Sequence, residues 1–349
     1  MKDKLLSLVI PTYNMEQYLD KCLTSLILPN KELMRSVEVL VINDGSKDNS
    51  LAIGRRYQEI YPDTYRVVDK ENGNYGSCIN RGLKEATGTY IKILDADDWF
   101  DTPSYEAFLQ FLRNTQADLV LSDFEMVKPS GEKICTFRYP LLPEQHSMKN
   151  NKAVYDVWMH AVTYRRAIFD GLDYFQTEGI SHTDIEWIFL PMVHVKRVEH
   201  FPHVVYKYLI GREGQTMNPE ALMRESSHEI QGWKANWNVW EKTAVTGRGD
   251  AEEYLWYRLF LRATIIYERS ILGCRDGYDN QELIEFDTYV RNCSIKLYNQ
   301  LDYFTHHKHR FRYIHYWRKW HYRSVLVLRC IKIETIIYRI GSKIYRSFK

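Results

Sequence analysis

Residues 5–10 (LLSLVI) form a short apolar run stopped by Pro11, which cannot donate a ladder hydrogen bond, and so predict a buried strand. Met15, Tyr18, Leu19, Cys22, Leu23, Leu26 and Ile27 then recur at helical spacing, predicting a helix with one buried side and Asn14 as its cap. The alternation repeats. VEVLVI (37–42) reads as a second strand, Asn43 to Ser46 as a turn, and 47–60 as a helix that buries Leu51, Ala52, Tyr57 and Ile60. A third strand over 65–68, a loop over 73–76, a helix over 77–86 stopped by Gly88, and a fourth strand over 90–94 follow. A helix over 103–114 and strands over 118–124 and 203–209 complete this part.

Strands and helices that alternate through short links predict an α/β fold with a doubly wound, mostly parallel sheet. Such sheets bind ligands outside the carboxyl ends of their strands. Those ends are residues 11–14, 43–46 and 95–98, so polar residues collect along one edge. Beyond about residue 219 the strand signal ends. Residues 221–244, 251–272 and 280–301 read as helices, with Trp233, Trp237 and Trp240 on one face and Leu255, Leu259, Phe260, Ile266 and Tyr267 on another.

At 349 residues the chain has room for one large domain or two ordinary ones. Its 45% hydrophobic and 26% charged residues exclude collagen-like, mucin-like and wholly disordered classes. The net charge of +2 hides an asymmetry: residues 306–349 hold 12 basic residues against Glu334 alone, leaving 35 basic and 44 acidic residues in the first 305. That tail interleaves its cations with nine aromatics, among them Trp317, Trp320 and Tyr322, a composition suited to an anionic membrane surface or to a packed terminal helix pair. Without a recognition motif and with an acidic body, nucleic acid is not expected as a partner. No apolar stretch reaches the roughly 20 residues of a spanning helix. Six scattered cysteines without a CxxC pair point to a reducing compartment.

Chemistry concentrates after the fourth strand. Asp95 and Asp97, two residues apart in extended chain, aim their carboxylates to one side beside Asp98. They either cap the next helix or repel one another until a cation sits between them, and an all-oxygen donor set favours Mg²⁺ or Mn²⁺. Asp44 directly follows the second strand. It either caps the helix at 47 or, if Ser46 does so, is free to accept a hydrogen bond from a ligand such as the imide N–H of uracil.

Pro11-Thr12-Tyr13-Asn14, Asn43-Asp44-Gly45-Ser46, Asn72-Gly73 with Asn80-Arg81-Gly82, and Thr87-Gly88 leading into Asp95-Ala96-Asp97-Asp98 together resemble glycosyltransferase family 2. Glu178 to Trp187 resembles that family's acidic base segment. The resemblance implies an inverting enzyme of the GT-A fold, with a catalytic domain over 1–218, its nucleotide-binding half about 1–100 and its acceptor half about 101–218. A helical domain over 219–349 carries the basic tail from about 306.

It further implies that Pro11 and Tyr13 border the base, that Asp44 holds uracil, that Asp95 meets the ribose, that Asp97 ligates Mn²⁺ or Mg²⁺, and that Asp184 is the catalytic base. Asn14, Asn72, Gly73, Asn80 and Ala96 belong to the matched donor motifs, and Arg212, within Gly211 to Thr216, resembles a loop that closes over the diphosphate in relatives. Glu186 is the alternative base. Asn43 and Ile79 depart from the Asp and Arg common in the family, and no Gln-x-x-Arg-Trp sequence of processive synthases is present. The expectation is therefore transfer of a single sugar from a UDP-linked donor to a glycan or lipid-linked acceptor, in the cytoplasm at the inner face of the membrane. Two other classes share parts of this pattern. A nucleotidylyltransferase would need a glycine-rich loop after the first strand, and a non-catalytic membrane-peripheral binding protein would not need Asp184.

Overall fold

The computed structural model describes residues 4–139, 147–148, 155–212, 226–272, 281–305 and 311–332. They divide into two compact units, one formed from 1–218 with 235–256 and the other from 219–234 with 257–349. Residues 235–256, expected in the helical region, thus join the first unit, where Tyr254 Oη donates to the Ile188 carbonyl at 2.6 Å.

The first unit is built on a nine-stranded sheet. β1 (Leu6–Thr12), β2 (Val37–Asp44) and β3 (Tyr65–Lys70) alternate with α1 (Leu19–Thr24), α2 (Lys31–Arg35) and α3 (Ser50–Ile60). α4 (Asn74–Glu85), β4 (Tyr90–Ile93), β5 (Trp99–Phe100), α5 (Thr102–Asn114), β6 (Leu119–Val127) and β7 (Lys133–Phe137) follow. β8 (Val162–Arg165), α6 (Asp184–Trp187) and β9 (Val198–Leu209) complete it. The sheet order is β3-β2-β1-β4-β8-β6-β9-β5, with β7 paired to β6.

Pairing is parallel from β3 to β4, where Val9 faces both Leu40 and Ile93 in register. Beyond β4 it is mixed: β8 runs antiparallel to β4 and β6, while β6 and β9 are parallel. The α/β fold class therefore stands, with the parallel part confined to the first half. β1 and β2 are buried along their whole length, as strands covered on both faces must be. α4 lies close on β1 because Gly82 has no side chain: a Cβ there would meet Val9 Cγ1 at 2.3 Å.

Local boundaries differ from the sequence expectations for identifiable reasons. The first helix begins at Leu19, not at 15. Asn14 does not cap it; with φ of 53° it turns away, its Oδ1 accepting from Lys47 N at 2.8 Å and its own N donating to Ser46 Oγ at 3.1 Å. Neither Ser46, which accepts that bond, nor Asp44, which is held by Lys70, Asn72 and Gly73, caps the helix expected at 47; α3 starts at Ser50 instead. α4 begins at Asn74, three residues earlier than expected, with Asn74 itself at a φ of 66°.

In the second unit, Glu229 pairs with Arg262 at 3.3 Å and with Arg269. α7 (Gln281–Cys293), α8 (Ile295–Asp302) and α9 (Tyr313–Lys319) pack together. α9 belongs to the basic tail, yet Tyr313, Ile314 and Trp317 are buried. Arg318 donates to Asp287 at 2.7 Å and to Asp302 at 3.3 Å. The described start of the tail therefore uses its aromatics for packing. The expectations for 213–216 and for the tail beyond 332 lie outside the described residues.

Candidate active site

A cavity of about 690 Å³ opens at the carboxyl ends of β1, β2 and β4. Its wall comprises residues 11–18 after β1, Asp44 and Asp48 after β2, Asn74, Tyr75 and Cys78 of α4, and residues 95–97 after β4. Ile180, Ser181, Tyr208 and Arg212 close it. Pro11, Tyr13, Asn14, Asp44, Asp95, Ala96, Asp97 and Arg212 thus line one cavity, with Tyr13 45% exposed.

Asn72, Gly73 and Asn80 act from behind the wall. Asn72 Nδ2 donates to Asp44 Oδ2 at 3.1 Å, Gly73 N donates to Asp44 Oδ1 at 3.0 Å, and Lys70 forms an ion pair with the same Oδ1. A carboxylate offers about four acceptor positions. These three donors, with the Cys78 thiol as a further partner, hold the carboxylate at the cavity wall. Lys70 carried no sequence signal of its own; only the parallel register of β3 beside β2 brings it to Asp44. The Asn at 43 also finds its reason, since its Nδ2 donates to Asp69 Oδ1 at 2.7 Å, where an aspartate would repel.

Asn80 spends its whole amide on the distant segment 176–178, donating to the Gln176 carbonyl at 2.9 Å and to Glu178 Oε1 at 3.0 Å while accepting from Gln176 N at 2.9 Å. Gly76 permits this approach, because a Cβ would meet the Thr177 carbonyl oxygen at 2.2 Å. The segment carries Ile180 and Ser181 to the cavity and Asp184 to the first position of α6. Asp184 is half-buried, and its charge is felt by Asp95, Tyr75 and Tyr208. Glu186 is buried instead, with Oε2 accepting from Thr177 N at 2.7 Å, and burial raises its pKa.

The acidic loop is held by tyrosines. Tyr75 Oη donates to Asp95 Oδ1 at 2.7 Å. Tyr206 Oη donates to Asp98 Oδ2 at 2.6 Å and lies 3.1 Å from Asp95 N, while Leu209 N donates to Asp98 Oδ1 at 2.7 Å. Burial, then the neighbouring Asp97 charge, pushes Asp95 up to about 7 against the Tyr75 hydrogen bond. Burial likewise raises Asp98. Asp97 pairs with Arg212, whose guanidinium also lies over the Tyr18 ring at 5.3 Å.

One ring nitrogen of His160 and one carboxylate oxygen each from Asp95 and Asp98 lie within 4.8 Å of one another. This oxygen-rich donor set, with buried His160 Nδ1 left without a hydrogen-bond partner, suits a divalent ion such as Mn²⁺. The sequence reading missed Tyr75, Tyr206, Tyr208 and His160. The one available signal was the i, i+2 pair Tyr206 and Tyr208 on a predicted strand.

An open α/β sheet with an acidic loop between its parallel and mixed halves defines a GT-A domain. Residues 7–172, a little under half of the chain, match the family described as Glycosyl transferase family 2. It is 28% identical over 189 residues to the uncharacterized glycosyltransferase EpsJ of Bacillus subtilis, covering 52% of this chain and 53% of EpsJ. To the uncharacterized glycosyltransferase YibD of Escherichia coli it is 28% identical over 216 residues, covering 59% and 61% respectively. The chain therefore spans little more than half the length of these relatives. The crystal structure of S. aureus TarS 1-349 in complex with UDP-GlcNAc shares the fold with a TM-score of 0.67 at 19% identity, covering 97% of this chain and 92% of that one.

Proposed function

We propose that this chain is an inverting, non-processive glycosyltransferase that moves one sugar from a UDP-linked donor to a glycan or lipid-linked acceptor in cell-surface polysaccharide synthesis. The observation that carries the reading is the cavity itself, in which Asp44 lines the end of β2 and Asp95 and Asp97 line the loop after β4. The UDP-GlcNAc complex of TarS, whose fold is shared, supports a UDP-linked donor.

In this reading Pro11 and Tyr13 flank the base, Asp44 accepts from its imide N–H, and Asp95 meets the ribose. Arg212 leaves Asp97 for the diphosphate, to which it can donate two parallel hydrogen bonds. A Mn²⁺ or Mg²⁺ ion at Asp97, when bound, neutralises charge that builds on the departing UDP. Asp184 takes the proton of the acceptor hydroxyl as that oxygen forms its bond to C1 and the C1–O bond to the diphosphate breaks, which inverts C1 and releases UDP. Asp184 is preferred over Glu186 because Glu186 is buried and already bonded to Thr177.

Among the described residues no helix is long and apolar enough to cross a membrane, and in this reading the basic tail meets an anionic membrane surface peripherally. Calorimetric titration with UDP and Mn²⁺ tests the donor site. The parent should bind, and Asp44→Asn, which loses a charged acceptor, should bind about tenfold more weakly or worse. A parent that binds no UDP would overturn the reading.

A further inference from the structure

His160 lies outside every motif that carries the family resemblance. It sits in a 3₁₀ turn (Met159–Ala161) just before β8 and is 5% exposed. Its ring is stacked on Tyr208 with centroids 4.0 Å apart and meets Tyr206 edge-on at 5.0 Å. Its backbone carbonyl accepts from the buried Lys92 Nζ at 2.7 Å. Ring and backbone are both fixed, yet Nδ1 is buried without any hydrogen-bond partner. An imidazole that is held this firmly and left unsatisfied has the features of a ligand awaiting its ion.

The neighbouring carboxylates point the same way. The hydrogen bonds described to the Asp95 and Asp98 side chains come from Tyr75, Tyr206 and the Leu209 amide, all neutral donors. The nearby cations are engaged elsewhere, Arg212 with Asp97 and Lys92 with two carbonyls. The three ligand atoms lie within 4.8 Å of one another, whereas ligands at about 2.1 Å from a six-coordinate ion stand roughly 3–4.2 Å apart. Contraction by well under 1 Å would close the site.

We propose that Asp95, Asp98 and His160 form a divalent-cation site of their own, set behind the donor cavity and separate from the position at Asp97. Its donors are two carboxylates and one imidazole, a set that selects Mn²⁺ over Mg²⁺ because the nitrogen ligand favours the softer ion. Asp95 belongs both to this site and to the cavity wall, so the ion adds positive charge next to the donor phosphates. The site follows from the cluster alone and does not depend on the donor being a nucleotide sugar.

Electron spin echo envelope spectroscopy of the full chain loaded with Mn²⁺, with and without UDP, tests it. The parent should display modulation from a directly bound ¹⁴N, and growth on [¹⁵N]histidine should replace that pattern by the ¹⁵N one. Asp97→Asn should keep the nitrogen signal, and His160→Gln should lose it. Should His160→Gln fail to fold, the isotope exchange in the parent still decides, because among the described residues His160 is the one histidine in such a group. Mn²⁺ bound without nitrogen modulation, no Mn²⁺ bound, or modulation that survives in His160→Gln would each overturn the proposal. UDP-sugar turnover measured on the same samples reports separately on the proposed function.

Discussion

Arg212, three residues beyond β9, forms an ion pair through Nε with Asp97, the second aspartate of the loop after β4, and both side chains are nearly buried, 13% and 10% exposed. The contact joins positions 115 residues apart and places a cation beside Asp97 and close to Asp95. Removing it leaves Asp97 uncompensated. Arg212→Met should lower unfolding stability by about 3 kcal/mol in chelator and weaken UDP binding about tenfold, read by denaturant melts and titration. Unchanged values in both would make the pair incidental.

Asp184 and Glu186 are separated by the same geometry. Asp184→Asn should reduce sugar transfer by about 10²–10⁴-fold while leaving UDP affinity intact, because the lost group serves only the acceptor proton. Glu186→Gln keeps its hydrogen bond from Thr177 N and should stay within a few-fold of the parent. The reverse ranking in transfer assays would exchange their roles.

Two buried groups contribute opposite slopes to the pH dependence of the metal-free protein. Asp95, raised from 3.8 to about 7, binds more protons folded than unfolded across that window, so stability falls as pH climbs from about 4 to 7. Lys92, lowered from 10.5 to about 7 by burial, binds fewer protons folded than unfolded, so stability rises from about pH 7 to 10. Thermal melts across pH in EDTA test each group by difference from the parent: Asp95→Asn should remove a fall in stability between about pH 4 and 7, and Lys92→Met a rise between about pH 7 and 10. A profile that keeps its shape in both variants would refute the assignment.

The alternation of strands and helices through Phe124 was legible because each element obeys a local period, and the aspartates at 44, 95 and 97 because they end strands. What escaped was non-local. His160 meets Asp95 and Asp98 only after β8 enters the sheet beside β4, a pairing that no periodicity encodes. Asn80 matched a donor motif, yet its amide is consumed by 176–178, because contacts across 96 residues outweigh local position. The cap expected at Asn14 failed for a similar reason: the turn at 46–47 offered better partners than a helix start. The mixed half of the sheet was invisible since antiparallel and parallel strands read alike when both faces are buried.

The basic tail divides at the same kind of boundary. Trp317 is fully buried and Arg318 is paired with Asp287, so deleting 306–349 would remove packing along with charge, and Trp317→Ala alone should cost about 3–5 kcal/mol. Truncation after Lys332 avoids both. It should abolish flotation with anionic liposomes while leaving the melting temperature within a few degrees. Undiminished flotation would remove the tail beyond 332 from membrane contact.

A cavity that holds a UDP-sugar for glycosyl transfer by this chain should reveal itself in UDP release measured across a panel of UDP-sugars with Mn²⁺, with the parent compared to Asp97→Asn. Release should exceed background for at least one donor, be stimulated by a sugar acceptor and be abolished in the variant. No release from any UDP-sugar, or release equal in parent and variant, would contradict it.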